Sequence, residues 1–137
     1  MIYQLVAQEI TTRLETIPKL NGFPFWVKKV PVPGFTVGLP ELINYDQTYG
    51  RGLDKITLPI VVLVGLVSSE QSARDVMAYT DGSGPRSFKA VLNSVDDWES
   101  CDDVIVTEAA PDTYSSGGVL LLGAEFKVDV FGRGETS

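Results

Sequence analysis

The chain has 137 residues, of which 44% are hydrophobic and 21% charged, the size and balance of one globular domain. Eleven Lys and Arg against 18 Asp and Glu give a net charge of −7, which argues against a protein that wraps nucleic acid with a basic face. Histidine is absent and Cys101 is the only cysteine, which excludes histidine-based catalysis, histidine or multi-thiolate metal sites and internal disulfides.

The first predicted element is an amphipathic helix over residues 2–16, ended by Pro18. Its apolar residues recur at spacings of three and four: Ile2, Leu5, Val6, Ile10, Leu14 and Ile17. The segment lacks a basic start and reaches Glu9 too soon for a signal peptide. The longest apolar run, 58–67, is far shorter than the roughly 20 residues of a membrane-spanning helix. We therefore expect an intracellular protein, or one assembled from an intracellular pool.

The region after this helix is rich in proline. Residues 25–30 combine aromatic and β-branched side chains and predict a short strand. Because proline cannot donate to a ladder, we expect 31–43 to be extended and to lie on the surface, with Phe35–Val37 a possible short paired piece. Residues 44–54 are polar, with glycines and tyrosines, and predict the tip of a long hairpin.

Residues 56–67 form the clearest strand pattern in the chain. The run from Ile60 to Val64 does not alternate, which indicates that both faces are covered. Pro59 suggests an edge strand or a bulge.

Two helices should follow this strand. Ser68, in a capping box with Gln71, or equally Ser69, begins the first. Its buried side is predicted to comprise Ala73, Val76, Met77 and part of Tyr79–Thr80. Glycines in Asp81–Gly84 end it, and Pro85 is expected as the first residue of a second helix over 85–94.

The last third of the sequence predicts two more strands. One covers 104–107 and ends before Pro111, and a turn follows at 114–118. The other covers 119–131, with one face in the core, the other exposed to solvent, and a possible bulge at Gly123.

Together these elements predict an α+β fold. We expect a mixed, mostly antiparallel sheet of about four to five strands, with an N-terminal helix and two further helices packed on it. Residues 1–131 form one domain, and 132–137 form a flexible C-terminal tail.

Three segments carry side chains of the types that bind ions or act as nucleophiles. The acidic stretch 96–103 lacks the spacing and glycine of a calcium loop, so a solvated turn is the better interpretation than a cation site. Gly82–Ser87 could bind an anion before a helix but is better read as a helix-to-helix turn. Acidic neighbours disfavour a thiolate at Cys101, so we expect a half-buried structural thiol. No catalytic, cofactor or metal site is predicted.

Interaction surfaces are the stronger signal. Residues 31–54 hold much apolar and aromatic area, which is typical of an interface, although the segment could instead fold over its own core. Arg51 between two glycines can reach a partner's carboxylate, or form only an exposed hairpin tip. The candidate subunit or partner interface comprises Tyr45, Asp46, Tyr49, Arg51 and Asp54.

Four stretches in a particular order carry a resemblance. They are the N-terminal helix, Val37–Ile43, Tyr45–Asp54 running through a hydrophobic strand into Ser68–Arg74, and the closing strand Leu121–Val130. In this order they resemble the tail terminator proteins of long-tailed, siphovirus-type bacteriophages, especially those of actinobacterial hosts. The resemblance covers most of the chain.

The resemblance implies a structural protein of the virion's tail–neck junction, assembled in the host cytoplasm. Such a protein forms a hexameric ring on the last tail tube subunits, ends tail polymerisation and provides the docking surface for the head connector. It binds no cofactor and is not an enzyme. DNA passes through the lumen without specific binding, and an acidic lumen suits that passage because it repels phosphates.

Two other functions remain open at this point. One is a head-closure stopper or another head–tail joining protein, which is also a small acidic ring component. The more distant one is a small enzyme of unknown substrate that uses the carboxylates at 96–103. Joint replacement of Asp96, Asp97, Asp102 and Asp103 would impair such an enzyme and hardly affect a ring protein.

Overall fold

The computed structural model describes residues 2–18, 20–23, 33–45, 53–116 and 118–133. Within these ranges the chain forms three helices and six strands. In chain order they are α1 (Tyr3–Leu14), β1 (Asn21–Phe23), β2 (Gly34–Val37), β3 (Leu42–Asn44), β4 (Leu53–Leu66), α2 (Glu70–Thr80), α3 (Phe88–Asn93), β5 (Asp103–Ser116) and β6 (Val119–Arg133).

The strands form one mixed sheet with the order β1-β2-β4-β6-β5, and β3 also pairs with β4. β1 is parallel to β2, and every other pairing is antiparallel. The α+β prediction is confirmed, with six strands in place of four to five. The predicted strand at 25–30 lies outside the described residues.

The core lies between the helices and one face of the sheet. Alternate residues of β4 and β6 point into it because side chains alternate along a strand. Phe88 of α3 lies at its centre: its ring stacks on Phe126 with centroids 4.5 Å apart and meets Phe35 and Tyr79 edge-on at 5.8 and 5.7 Å. A six-residue helix cannot hold itself together, so these apolar contacts fix α3 to the sheet.

The prediction that 31–43 lies on the surface is wrong for its centre. All four residues of β2 are buried, and β2 lies between β1 and β4. Pro33 and Pro40 flank this strand instead of interrupting it, so Phe35 and Val37 can enter the core. The outer part of the segment does remain exposed, at Leu39 and Leu42.

The prediction that Pro59 marks an edge or a bulge is also wrong. Pro59 pairs in register with Lys127 in a central strand. On the other side of β4, β2 pairs with residues 60–63 and β3 pairs with residues 55–57. Pro59 lies between these two pairings, so the position where it lacks an amide hydrogen faces the gap between the two partner strands. The Pro59 carbonyl accepts a hydrogen bond from the Gly38 amide at 2.8 Å. The predicted two-sided burial of β4 is confirmed, with Val61 only 6% exposed on the face opposite the helices.

The sheet contains two irregularities. The extra residue in the β4–β6 pairing is Val64, which lies opposite Gly123 and Leu122. A Cβ atom on Gly123 would lie 2.1 Å from the Val62 carbonyl oxygen, so the close approach of the two backbones requires glycine there. The second irregularity, at Thr107, lies in the β5–β6 pairing.

The predicted end of the fifth strand before Pro111 is wrong. β5 continues through Pro111 to Ser116, and part of the turn predicted at 114–118 is therefore strand. β5 is an edge strand, and proline is tolerated there because its nitrogen can face away from the ladder. β6 also runs to Arg133, two residues beyond the predicted end of the strand at 131, and the rest of the predicted tail, 134–137, lies outside the described residues.

The two later helices begin at serine caps. The Ser69 side chain accepts the Ser72 amide, which selects Ser69 over Ser68 as the cap of α2. α3 begins at Phe88 after the Ser87 cap, not at Pro85. The predicted buried side of α2 is correct for Val76 and Tyr79 but wrong for Ala73 and Met77, which are exposed.

Candidate interaction surfaces

The acidic segment 96–103 is a structural turn fixed to α1. The Glu9 carboxylate accepts hydrogen bonds from the Glu99 amide at 3.0 Å, the Ser100 amide at 2.9 Å and the Ser100 hydroxyl at 2.6 Å. Burial alone would raise the pKa of Glu9, but these hydrogen bonds and nearby Arg13 hold it below its ordinary value. Among the described residues, no group of three or more carboxylates or thiols could hold a metal ion.

The same turn is held by Arg13. Its guanidinium lies 3.2 Å from the Asp97 carboxylate and 6.0 Å above the Trp98 ring. An open groove of about 600 Å³ runs along this contact. The α1 charges that line the groove, Glu9 and Arg13, are already engaged with the turn. The groove is therefore a by-product of the contact between helix and turn.

Cys101 is a structural thiol. Its side chain is buried in the core, more deeply than the half-buried position expected. Burial, with nearby carboxylates, raises the pKa of the thiol to about 12. A thiol with this pKa stays protonated at neutral pH and is a poor nucleophile.

The Gly82–Ser87 segment connects α2 to α3, as the helix-to-helix reading predicted. Arg86 donates to the Asp75 carboxylate at 3.1 Å, and its guanidinium lies 4.7 Å from the centroid of the Tyr79 ring. The cation that would have served an anion site is thus committed to a contact within the chain.

Two of the predicted interface residues, Tyr45 and Asp54, lie at one end of the sheet. β3 and β4 pair antiparallel, with Asn44 opposite Lys55, as a hairpin requires. Tyr45 leaves β3 with 68% of its surface exposed, whereas Asp54 is buried in β4. Three other predicted residues, Asp46, Tyr49 and Arg51, lie outside the described residues.

Tyr3 joins this end from the first turn of α1. Burial raises the pKa of Tyr3, and the nearby Tyr45 and Asp54 raise it further because negative charge close by disfavours the phenolate. Ile2, also exposed, precedes it. We call Ile2, Tyr3 and Tyr45, which lie beside the buried Asp54, the Tyr45 surface. The structure thus brings two predicted interface residues together with two from the N-terminus.

A second surface at the opposite end of the sheet was missed from the sequence. The last residues of β4 meet the first residues of β6, and the Val67 amide donates to the Leu120 carbonyl at 3.3 Å. Four apolar side chains are exposed here by 41–57%, and we call them the hairpin surface: Leu66, Val67, Val119 and Leu120. The available signal was the pair of apolar runs that continue past the core positions of both strands.

The two surfaces are well separated. They lie beyond opposite ends of β4, a strand of 14 residues. At 3.3 Å per residue, the strand spans about 45 Å. The molecule therefore presents two different surfaces with exposed apolar side chains at opposite ends of the sheet.

Between these ends, the sheet face opposite the helices is charged. Lys127 donates to the Glu41 carboxylate at 2.7 Å and lies 3.8 Å from Glu125. Lys55 lies 3.6 Å from Asp129, which also accepts the Thr57 hydroxyl at 2.9 Å. These contacts hold the segment before β3 on the sheet and give this face a polar character.

The chain matches no family model and no curated protein. None of the described helices is long and apolar enough to cross a membrane.

Proposed function

We propose that this protein is a tail terminator of a long-tailed bacteriophage. It caps the tail tube as a ring, ends tail polymerisation and provides the docking surface for the head connector. Its place is the tail–neck junction of the virion, and it is assembled in the host cytoplasm. Its role is structural, and it uses no cofactor and catalyses no reaction.

The observation that carries this proposal is the pair of different apolar surfaces at opposite ends of the sheet. Exposed apolar patches mark association sites, and a subunit with two of them can contact two different partners. A neck protein needs this property, because it meets other copies in its ring as well as the tail tube. We assign the hairpin surface to the tail tube and the Tyr45 surface to the neighbouring copy. The resemblance of four ordered stretches supplies the particular partners.

A ring also needs contacts between its own copies. In a closed ring, one surface of each subunit meets a different surface of the next. The Tyr45 surface is suited to such a contact because tyrosine combines apolar area with a hydrogen-bonding hydroxyl. The net charge of −7 fits a lumen through which DNA passes without binding, since like charges repel.

Electron microscopy of lysates tests this proposal, using phage that carry an early stop codon in this gene. We expect overlong tails, few of them joined to heads, because nothing ends tube growth. Tails of normal length lying free beside heads would contradict the terminator and favour a stopper or joining protein. Intact infectious particles would contradict every neck function.

A further inference from the structure

The free edge of β5 is the longest strand edge in the described part of the chain. Among the described strands β5 pairs with β6 alone, and the positions that pair with even-numbered β6 residues point their amides outward. Three observed contacts agree with this orientation, because the amides of Val104, Val106 and Thr113 each donate to a side-chain oxygen. An edge of outward amides is a template for pairing with another chain.

Side chains occupy this edge along its length. The Asp103 carboxylate accepts the Val104 amide at 2.8 Å, and the Asp112 carboxylate accepts the Thr113 amide at 2.7 Å. From α3, the Asn93 side-chain oxygen accepts the Val106 amide at 3.2 Å. Each contact removes a donor that an incoming strand would need.

Two further features act at the middle of the edge. Pro111 occupies an outward position and has no amide hydrogen to offer. At Thr107 the register shifts, which bends the strand away from a straight ladder. At the other end of the described strand order, β1 has three described residues, and its Gly22 amide donates to the Glu15 carboxylate at 3.3 Å.

We propose that Asn93, Asp103, Pro111 and Asp112 form an edge guard that prevents strand pairing between copies of this chain. An open edge of 14 residues would invite open-ended pairing between copies of the chain. The guard directs association to the ends of the sheet. The inference does not depend on the tail terminator function, since it concerns only self-association.

The test is sedimentation velocity of the wild type and of the N93A/P111V/D112A variant at matched concentrations. We expect the variant to form species larger than any formed by the wild type, in amounts that grow with concentration. The control is E108A, which removes a carboxylate from the same strand without removing an amide partner; it should sediment like the wild type. Equal sedimentation of variant and wild type would overturn the proposal, as would equal association of E108A and the variant.

A second measurement keeps the proposal testable if the triple variant does not fold. Amide hydrogen exchange is followed in the single variant N93A. The Val106 amide should exchange roughly tenfold faster than in the wild type, the loss expected for one hydrogen bond, while the β4–β6 amides keep their rates. An unchanged Val106 rate would show that Asn93 does not guard the edge.

Discussion

The hairpin surface yields the sharpest prediction, because its residues are exposed and can be changed without disturbing the core. The variant L66T/L120T replaces two leucines that are 51% and 57% exposed by a polar residue that favours strands. Fully burying a leucine contributes about 1.5–3 kcal/mol, so covering the exposed half contributes about 1 kcal/mol for each residue. Replacing both leucines should weaken binding to the tail tube by about 2 kcal/mol, roughly thirtyfold.

The assay is co-sedimentation of the purified protein with tail tubes from a lysate that lacks it. The matched control is M77T, which changes an apolar side chain of 68% exposure on α2, outside the two surfaces. M77T should unfold within about 0.5 kcal/mol of the wild type, as surface substitutions do. L66T/L120T should lose at most about 2 kcal/mol of folding stability and remain folded, because the covered half of each leucine contributes about 1 kcal/mol. The reasoning is refuted if L66T/L120T binds tubes as tightly as M77T.

The remaining predictions concern the segment between β3 and β4, Phe88 in the core, and the titratable groups Glu9 and Cys101. Replacing 46–52 by an Asn-Gly turn should leave thermal unfolding nearly unchanged, since Asn44 still pairs with Lys55 and the buried Asp54 is kept, but abolish capping in a tail-length assay; surviving capping contradicts the assignment of the 45–54 segment to a partner contact. Phe88→Ala should lower the free energy of unfolding by about 3–5 kcal/mol in urea titrations, and a loss below about 1.5 kcal/mol would refute its central packing role. The folded pKa of Glu9 lies below its ordinary 4.5, so its contribution is present above that pH and is lost as pH falls through the folded pKa. Glu9→Gln should therefore destabilise the protein by roughly 1–2 kcal/mol at pH 7 and converge with the wild type in acid, whereas parallel pH profiles would contradict the assignment. Cys101, with a pKa of about 12, should resist iodoacetamide at pH 8 until urea unfolds the chain, and rapid native alkylation would show that it is accessible.

The sequence predicted an element correctly where the spacing of its apolar residues matches the face that is buried. The spacing of Val6, Ile10 and Leu14 predicted α1, and the alternation around Phe126 and Val128 predicted β6. These patterns depend on a single element lying against one core, which local sequence records directly.

The proline positions were misjudged for a physical reason. Pro59 and Pro111 both lie in long strands, and what decides their effect is the side of the strand to which the missing amide points. That side is fixed by register with partner strands from distant parts of the chain. No local pattern contains this information.

The candidate site was predictable only in part. Tyr45 was identified because residues 31–54 hold much apolar and aromatic area, which is typical of an interface, and the structure leaves Tyr45 exposed. The hairpin surface was missed because Leu66 and Leu120 look like core residues in the sequence. Their exposure follows from the length of β4 and β6, which extend past the helices that cover the rest of the sheet.

The most direct test of the central claim is reconstitution at the tube end. Purified protein is added to tails from a lysate that lacks it, and the tube ends are imaged by cryo-electron microscopy. Our account predicts a ring of this protein on one end of each tube and no further growth when tube protein is supplied. Bare ends that continue to elongate would contradict it.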